Sequence, residues 1–237
     1  MTTTTTTPPA TGPLLQAESL SRTFGSGHST VHACTDVNLT VNPGELVVVT
    51  GTSGAGKTTL LTMLGTLDAP DAGRVLIDGR DVASLAETEL SALRRERLGF
   101  VFQTFGLLPA LSAEENVEIP LRLLGTDAPS RRSAVADALA VVGLTDHAEQ
   151  RPDELSGGQQ QRVAIARALA ASPRILIADE PTGQLDEENA RLIIDVLQAI
   201  SREGGRSVIV ATHDPRFVER ADQHLTMVDG RGVFDPR

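Results

Sequence analysis

Three stretches of the chain are almost uninterrupted apolar runs of strand length: Glu45-Leu-Val-Val-Val-Thr50, Arg174-Ile-Leu-Ile-Ala178 and Ser207-Val-Ile-Val-Ala211. Runs this short and this rich in Val and Ile predict strands covered on both faces, as in a parallel sheet flanked by helices. Two earlier stretches read differently. Val37-Asn-Leu-Thr-Val41 alternates apolar and polar positions, and Arg74-Val-Leu-Ile-Asp78 runs into Gly79. They predict half-buried antiparallel strands at the periphery of the main sheet, the second one entering a turn.

Helix starts follow from capping chemistry. Ser84 with Glu87, and Ser112 with Glu115, have the Ser-x-x-Glu spacing in which two side chains satisfy free backbone N–H groups reciprocally. An apolar-periodic run from Ser133 to Val142 ends at Gly143, a helix-stop signal. Residues 106 to about 160 are therefore expected to form a mainly helical subdomain inserted between the early and later core strands. The expected fold is α/β: a parallel central sheet, a small antiparallel β subdomain and this helical insertion, all in one domain over residues 14–237. Residues 1–13, MTTTTTTPPATGP, have neither the basic start nor the apolar core of a signal peptide, and are expected to be a disordered tail. No internal repeat is visible.

Charge and composition narrow the function. The longest apolar runs fall far short of the roughly 20 residues that span a bilayer, so a membrane role needs a partner. Net charge is −10 and no basic stripe extends beyond Arg94, Arg95 and Arg97, which argues against a nucleic-acid partner. Cys34 is the sole cysteine; an internal disulfide is excluded and a reducing compartment is the simple reading. His28, His32 and Cys34 match no zinc spacing and are read as ordinary strand residues.

Three segments carry chemistry. Gly51-Thr52-Ser53-Gly54-Ala55-Gly56-Lys57-Thr58, followed by Thr59, fits a phosphate-binding loop, with the buried strand before it and the helix after it that such a loop requires. Its glycines let backbone N–H groups close around phosphates at a helix N-terminus. Lys57, the sole lysine among arginines, would reach β and γ oxygens, and Thr58 would ligate Mg²⁺. Asp179 and Glu180 end an apolar strand at the sheet edge where open α/β sheets bind ligands. Asp179 would hold Mg²⁺ while Glu180 polarises an attacking water. Leu155-Ser156-Gly157-Gly158-Gln159 is a second glycine-rich helix entry, readable either as an anion site or simply as an N-cap.

These motifs together, in order, resemble the ATP-binding cassette family of transporter ATPases from about residue 14 to the C-terminus. The resemblance implies a P-loop NTPase core that hydrolyses ATP with Mg²⁺. It makes Gln103 in FVFQTFGLLP a sensor of Mg²⁺ and of the transmembrane partner, Asp186 in TGQLD part of the loop joining two nucleotide sites, and His213 in VIVATHD a contact to the γ-phosphate. On their own residues, Gln103 reads equally as a surface side chain, Asp186 as a helix N-cap and His213 as a strand-end histidine. The resemblance also makes Ser156 to Gln159 the clamp for ATP held on a second copy's loop, so that two chains sandwich nucleotides head to tail. Phe24 is the matching candidate for stacking on adenine, or alternatively a packing residue.

LGTLDAPDAGRVLIDG, RLGFVFQTFGLLPALSAEENVEIPL and PTGQLD resemble the branch of lipoprotein-release and macrolide-exporter ATPases (LolD/MacB-like), which also holds the cell-division ATPase FtsE. Within it, the resemblance implies a subunit bound to the inner face of the cell membrane through a separate permease; the alternative is a regulator of cell-wall remodelling. Gln184 departs from the asparagine or alanine usual in that branch. Phe105 to Leu111 is either core or a groove for the permease. A metabolic P-loop kinase would use Lys57 and Asp179 but leaves Ser156 to Gln159 without a role.

Overall fold

The computed structural model describes residues 12–25, 29–202 and 205–234. The expected tail therefore falls outside the described residues except for Gly12 and Pro13, as does His28.

The three apolar runs form β3 (Leu46–Gly51), β7 (Ile175–Asp179) and β8 (Ser207–Ala211). With β6 (Leu98–Val101), β9 (Gln223–Val228) and β10 (Arg231–Phe234) they build a six-stranded sheet in the order β10-β9-β3-β8-β7-β6. All neighbours pair in parallel except β10, which lies antiparallel on β9. Alternate residues of each run enter different cores. Leu46, Val48, Leu176, Ala178, Val208 and Val210 pack on one face, and Val47, Val49, Ile175, Ile177, Ile209 and Ala211 on the other. A run apolar on every residue is what two covered faces demand, and each of its Val, Leu or Ile side chains contributes about 1.5–3 kcal/mol by leaving water.

The second face is covered by helix α1 (Lys57–Leu64) and by a four-stranded antiparallel sheet. That sheet runs β2-β1-β4-β5, from β1 (Leu15–Phe24), β2 (Val31–Val41), β4 (Ala72–Ile77) and β5 (Arg80–Asp81). In β2 the expected alternation is realised: Val37, Leu39 and Val41 are buried and Asn38 and Thr40 exposed.

The first face is covered by helices. Helix α2 (Glu87–Arg97), which leads into β6, lies instead at the second face, where its Leu93 packs; on the first face α3 (Ala113–Leu123) and α4 (Ala128–Val141) form the insertion. They pack on each other and on α5 (Gly157–Ala170), which carries the chain back to β7. Next come α6 (Glu187–Arg202) and the short α7 (Pro215–Val218), whose Phe217 is fully buried. No helix among the described residues is long and apolar enough to cross a membrane.

One expected cap is corrected and one stands. Ser84 does not start a helix; it closes a 3-10 turn, Val82–Ser84, and its Oγ donates to the Asp81 carbonyl at 2.6 Å. Asp81 has already taken that turn's N-cap by accepting from Ala83 N–H. Helix α2 starts instead after Ala86, whose N–H donates to Glu89 Oε2 at 3.2 Å, so Glu89 rather than Glu87 reaches back. At α3 the reciprocal pair is present: Glu115 N–H donates to Ser112 Oγ and Ser112 N–H to Glu115 Oε2. The third helix ends where Gly143 turns left-handed, but begins before the expected Ser133, with Asp127 capping Ser130 N–H. Its outward first turn carries no apolar signal.

Ser112→Ala is expected to cost about 1 kcal/mol, because it orphans an N–H at a helix start. Ser84→Ala should stay within about 0.5 kcal/mol. Urea unfolding of the two variants beside the parent checks the contrast, and equal losses would refute it.

Candidate functional site

The loop between β3 and α1 is shaped by two backbone contacts that exclude side chains. Gly51 (φ 147°) lies so close to the Met227 carbonyl, and Gly56 (φ 99°) to the Ala33 carbonyl, that a Cβ at either would collide. Only glycine also enters these left-handed regions without strain. Squeezed between β9 and β2, the loop turns the first N–H groups of α1 outward, where they lack intrahelical partners. No acidic residue lies in that first turn, so the positive helix end is available to an anion.

Lys57 is buried, and its ammonium turns back on its own loop. Nζ donates to the Gly51 carbonyl at 2.9 Å and to that of Thr52 at 3.3 Å, and lies 3.7 Å from Glu180 Oε1. Thr58 Oγ1 donates to Asp179 Oδ2 at 2.7 Å. The other oxygen, Asp179 Oδ1, is buried with no hydrogen-bond partner. Burial pushes the Asp179 carboxyl above the usual range; neighbouring Glu180 adds to the rise, and the Thr58 hydrogen bond and Lys57 oppose it. A partnerless carboxylate oxygen beside a threonine hydroxyl in a phosphate cleft is a hard-oxygen pair of the kind Mg²⁺ takes.

Glu180 leaves the sheet with φ 46°, unusual for a side chain of its size, held by its N–H to the Ala211 carbonyl at 2.8 Å. Its Oε2 faces His213 Nδ1 at 2.9 Å and the His213 N–H at 3.4 Å. The carboxylate thus spans a cation on one side and the imidazole on the other. Gln103, exposed just beyond β6, completes the far wall. The resulting cleft, about 490 Å³, is lined by Ala33, Gly51 to Gly54, Gly56 to Thr59, Gln103, Asp179, Glu180 and His213. Ala55 is buried behind it.

Other expected site residues lie elsewhere. Ser156 caps α5, accepting Gln159 N–H at 3.2 Å while Gln159 Oε1 accepts Ser156 N–H at 2.8 Å. Asp186 caps α6 by accepting Asn189 N–H at 2.8 Å. Phe24 ends β1 half-exposed, with the Arg22 guanidinium 5.1 Å from its ring centre. None of these, nor Gly157 or Gly158, lines the cleft. The apolar loop after Gln103 divides between its two readings: Leu107 packs on the core and Leu108 is exposed. Arg167 fixes this loop by donating to the carbonyls of Phe105 and Gly106. Cys34 is buried with Sγ towards the Gly56 carbonyl, and burial pushes its thiol up to about 11.

Sequence reasoning missed Ala33, Arg167 and Asn189. An alanine in a strand carries no signal of a wall residue. Arg167 acts on a loop 61 to 62 residues away, and Asn189, besides bonding nearby Asp186, rests against Gly158, contacts that spacing does not reveal.

A glycine-lined helix entry facing an acidic strand end on a parallel sheet defines a P-loop nucleotide-binding protein. The family model described as ABC transporter matches residues 34–183, and the chain belongs to that family. It is similar to the lipoprotein-releasing system ATP-binding protein LolD of Bordetella pertussis, 44% identical over 95% of this chain and 98% of that one. It is also similar to the macrolide export ATP-binding/permease protein MacB of Rhodopseudomonas palustris, 46% identical over 94% of this chain. The chain spans about a third of that relative's length, 34%. Among solved structures, the ATP-binding cassette MJ0796, described as a dimer in a post-hydrolysis state bound to ADP and Pi, superposes with a TM-score of 0.86. It is 38% identical, over 93% of this chain and 97% of that one. The chain is an ATP-binding cassette ATPase with the α/β fold expected of it.

Lys57→Arg keeps the charge but not the slim stem that lets an ammonium sit between two loop carbonyls. Nucleotide affinity is expected to fall about tenfold or more, measured by titration with a fluorescent ATP analogue. Retained affinity would show that the loop does not need the compact cation.

Proposed function

We propose that this chain hydrolyses ATP as the motor subunit of a transporter, in a head-to-tail pair with a second copy, driving a membrane permease of the macrolide-exporter or lipoprotein-release type. The observation that carries the reading is the position of Glu180, between Lys57 and His213 and next to the Thr58–Asp179 pair. In this reading Lys57 leaves its loop carbonyls for the β and γ oxygens, and the outward N–H groups of the loop and α1 cradle the phosphates. Thr58, Asp179 and Gln103 would hold Mg²⁺, which when bound neutralises charge developing on the phosphates. Glu180 accepts a proton from the attacking water, and His213 orients that carboxylate and meets the γ-phosphate. Water in the cleft is thereby aligned by side chains from two different strand ends.

Ser156 to Gln159 and Asp186 lie outside this cleft, which suits residues that close a second copy's site. The first N–H groups of α5 would serve as the anion clamp there. Phe24 would stack on adenine with its exposed face, the other face being engaged by Arg22. A permease would hold the subunit at the inner face of the membrane, with the exposed apolar side chain of Leu108 in the loop after Gln103 available to it.

Glu180→Gln is expected to keep ATP binding while slowing hydrolysis about 10²–10⁴-fold, so that a nucleotide-bound dimer accumulates on size exclusion. Near-normal turnover would remove Glu180 from the role of base. Phe24→Trp supplies the chain's only indole, since Trp is otherwise absent. Its emission is expected to change saturably with ATP; a constant emission at saturating nucleotide would return position 24 to packing.

A further inference from the structure

The two motifs outside the cleft are joined to each other by one side chain. Asn189, in the first turn of α6, donates its backbone N–H to Asp186 Oδ1 at 2.8 Å. Its side-chain Nδ2 donates to both oxygens of the same carboxylate, at 3.0 and 2.9 Å. These bonds, the backbone one foremost, hold the Asp186 carboxyl below the usual carboxylate range. The carbonyl end of the same carboxamide rests on Gly158, in the first turn of α5. A Cβ at position 158 would fall within the Asn189 Oδ1 and Cγ atoms, so α5 and α6 approach this closely because residue 158 has no side chain.

We propose that Asn189 is a positioning residue for the half-site that one copy presents to the other: it sets the separation between Asp186 and the Ser156–Gln159 helix entry. The inference rests on the head-to-tail reading above. The helix entry starts α5 and Asp186, in the loop after β7, caps α6; the two helices share the core of the first face but touch each other sparsely, and Asn189 links their first turns. A composite site needs both on the same nucleotide face, and a displacement of about 1 Å is enough to weaken such an arrangement. Neither Asn189 nor Gly158 lines the cleft that holds Lys57. Nucleotide binding by a single copy is therefore independent of Asn189, while pairing of two copies around ATP depends on it.

The test uses the full chain carrying Glu180→Gln, in which ATP is expected to trap the dimer. Asn189→Asp keeps the volume against Gly158 but sets a second carboxylate beside Asp186. Asn189→Ala removes the carboxamide, with its donor to Asp186 and its carbonyl against Gly158, and leaves the backbone bond; Asn189→Thr restores a donor to Asp186. Monomer affinity for a fluorescent ATP analogue in EDTA and the melting temperature are measured alongside dimerisation. Asn189→Asp and Asn189→Ala are expected to raise the ATP concentration for half-dimerisation about tenfold with both controls unchanged, and Asn189→Thr to recover most of the loss. Dimerisation at the parent's ATP concentration in both variants overturns the inference alone. Loss of monomer nucleotide binding or a lowered melting temperature in both overturns it in favour of a purely structural role. A Glu180→Gln parent that binds ATP yet stays monomeric overturns the head-to-tail reading and this inference with it.

Discussion

The architecture turns on two places where backbone meets backbone with no side chain between. Gly56 passes under the Ala33 carbonyl of β2 and Gly51 under the Met227 carbonyl of β9. The first contact belongs to the antiparallel sheet and the second to the main sheet, so the phosphate loop is held at a seam between the two sheets, which also meet where Thr35 of β2 bonds the Gly230 carbonyl. A methyl group at either position would push the sheets apart or unwind the loop. Because α1 starts at this seam, its direction, and therefore the aim of its free N–H groups, is inherited from sheet packing and not from the loop's own preferences. Cys34, buried with its thiol towards the Gly56 carbonyl, belongs to the same seam. A reactive or metal-ligating role is the wrong use of a sulfur in that setting.

Within the cleft one lysine faces two carboxylates, of which Glu180 is the nearer partner. Lys57 is nearly buried, yet it is satisfied by two carbonyls of its own loop and by the nearby Glu180. Asp179 is the expensive member: burial drives it towards the neutral form, one oxygen is answered by Thr58, and the other by nothing among the described residues. An uncompensated carboxylate oxygen at the wall of a phosphate cleft is a cost a fold carries where a ligand repays it. The left-handed backbone at Glu180 costs about 1–3 kcal/mol, as at six other non-glycine residues among those described, and at Glu180 it turns the side chain into the cleft.

The parallel strands were legible because burial on both faces forces a run apolar at every residue, and β2 was legible because one covered face forces alternation. The phosphate loop was legible for the same kind of reason: Gly51 and Gly56 stand where backbone contacts forbid a Cβ, and Gly54 where the backbone turns left-handed. Local capping was less secure. Ser84 and Ser112 have identical spacing to a glutamate, yet only Ser112 caps a helix, because Asp81 competes for the turn beside Ser84 and Glu89 satisfies Ala86. Ala33, Arg167 and Asn189 could not be read at all. Ala33, Arg167 and, in its contact with Gly158, Asn189 matter through what a distant segment places against them, and no periodicity or spacing in the chain records that.

The same distinction separates the two halves of the proposed nucleotide site. In the proposed site, the residues that would act on the phosphates of the nucleotide held by their own chain come from strand ends of one sheet, β3, β6, β7 and β8, whose parallel register fixes them to a single edge. Ser156 to Gln159 and Asp186 stand at the starts of α5 and α6, two helices on the same face of the sheet that touch each other sparsely, so no strand register enforces their relation. Something short and directional must do so instead. A carboxamide suits the task because one end donates and the other presents a flat carbonyl to a glycine, so the side chain can hold a carboxylate and admit a helix backbone at once. A hydrophobic side chain at position 189 would give up the donor, and a lysine would overrun the space that Gly158 leaves. Near the loop carrying Asp186, polar geometry does the work that strand register does at the cleft.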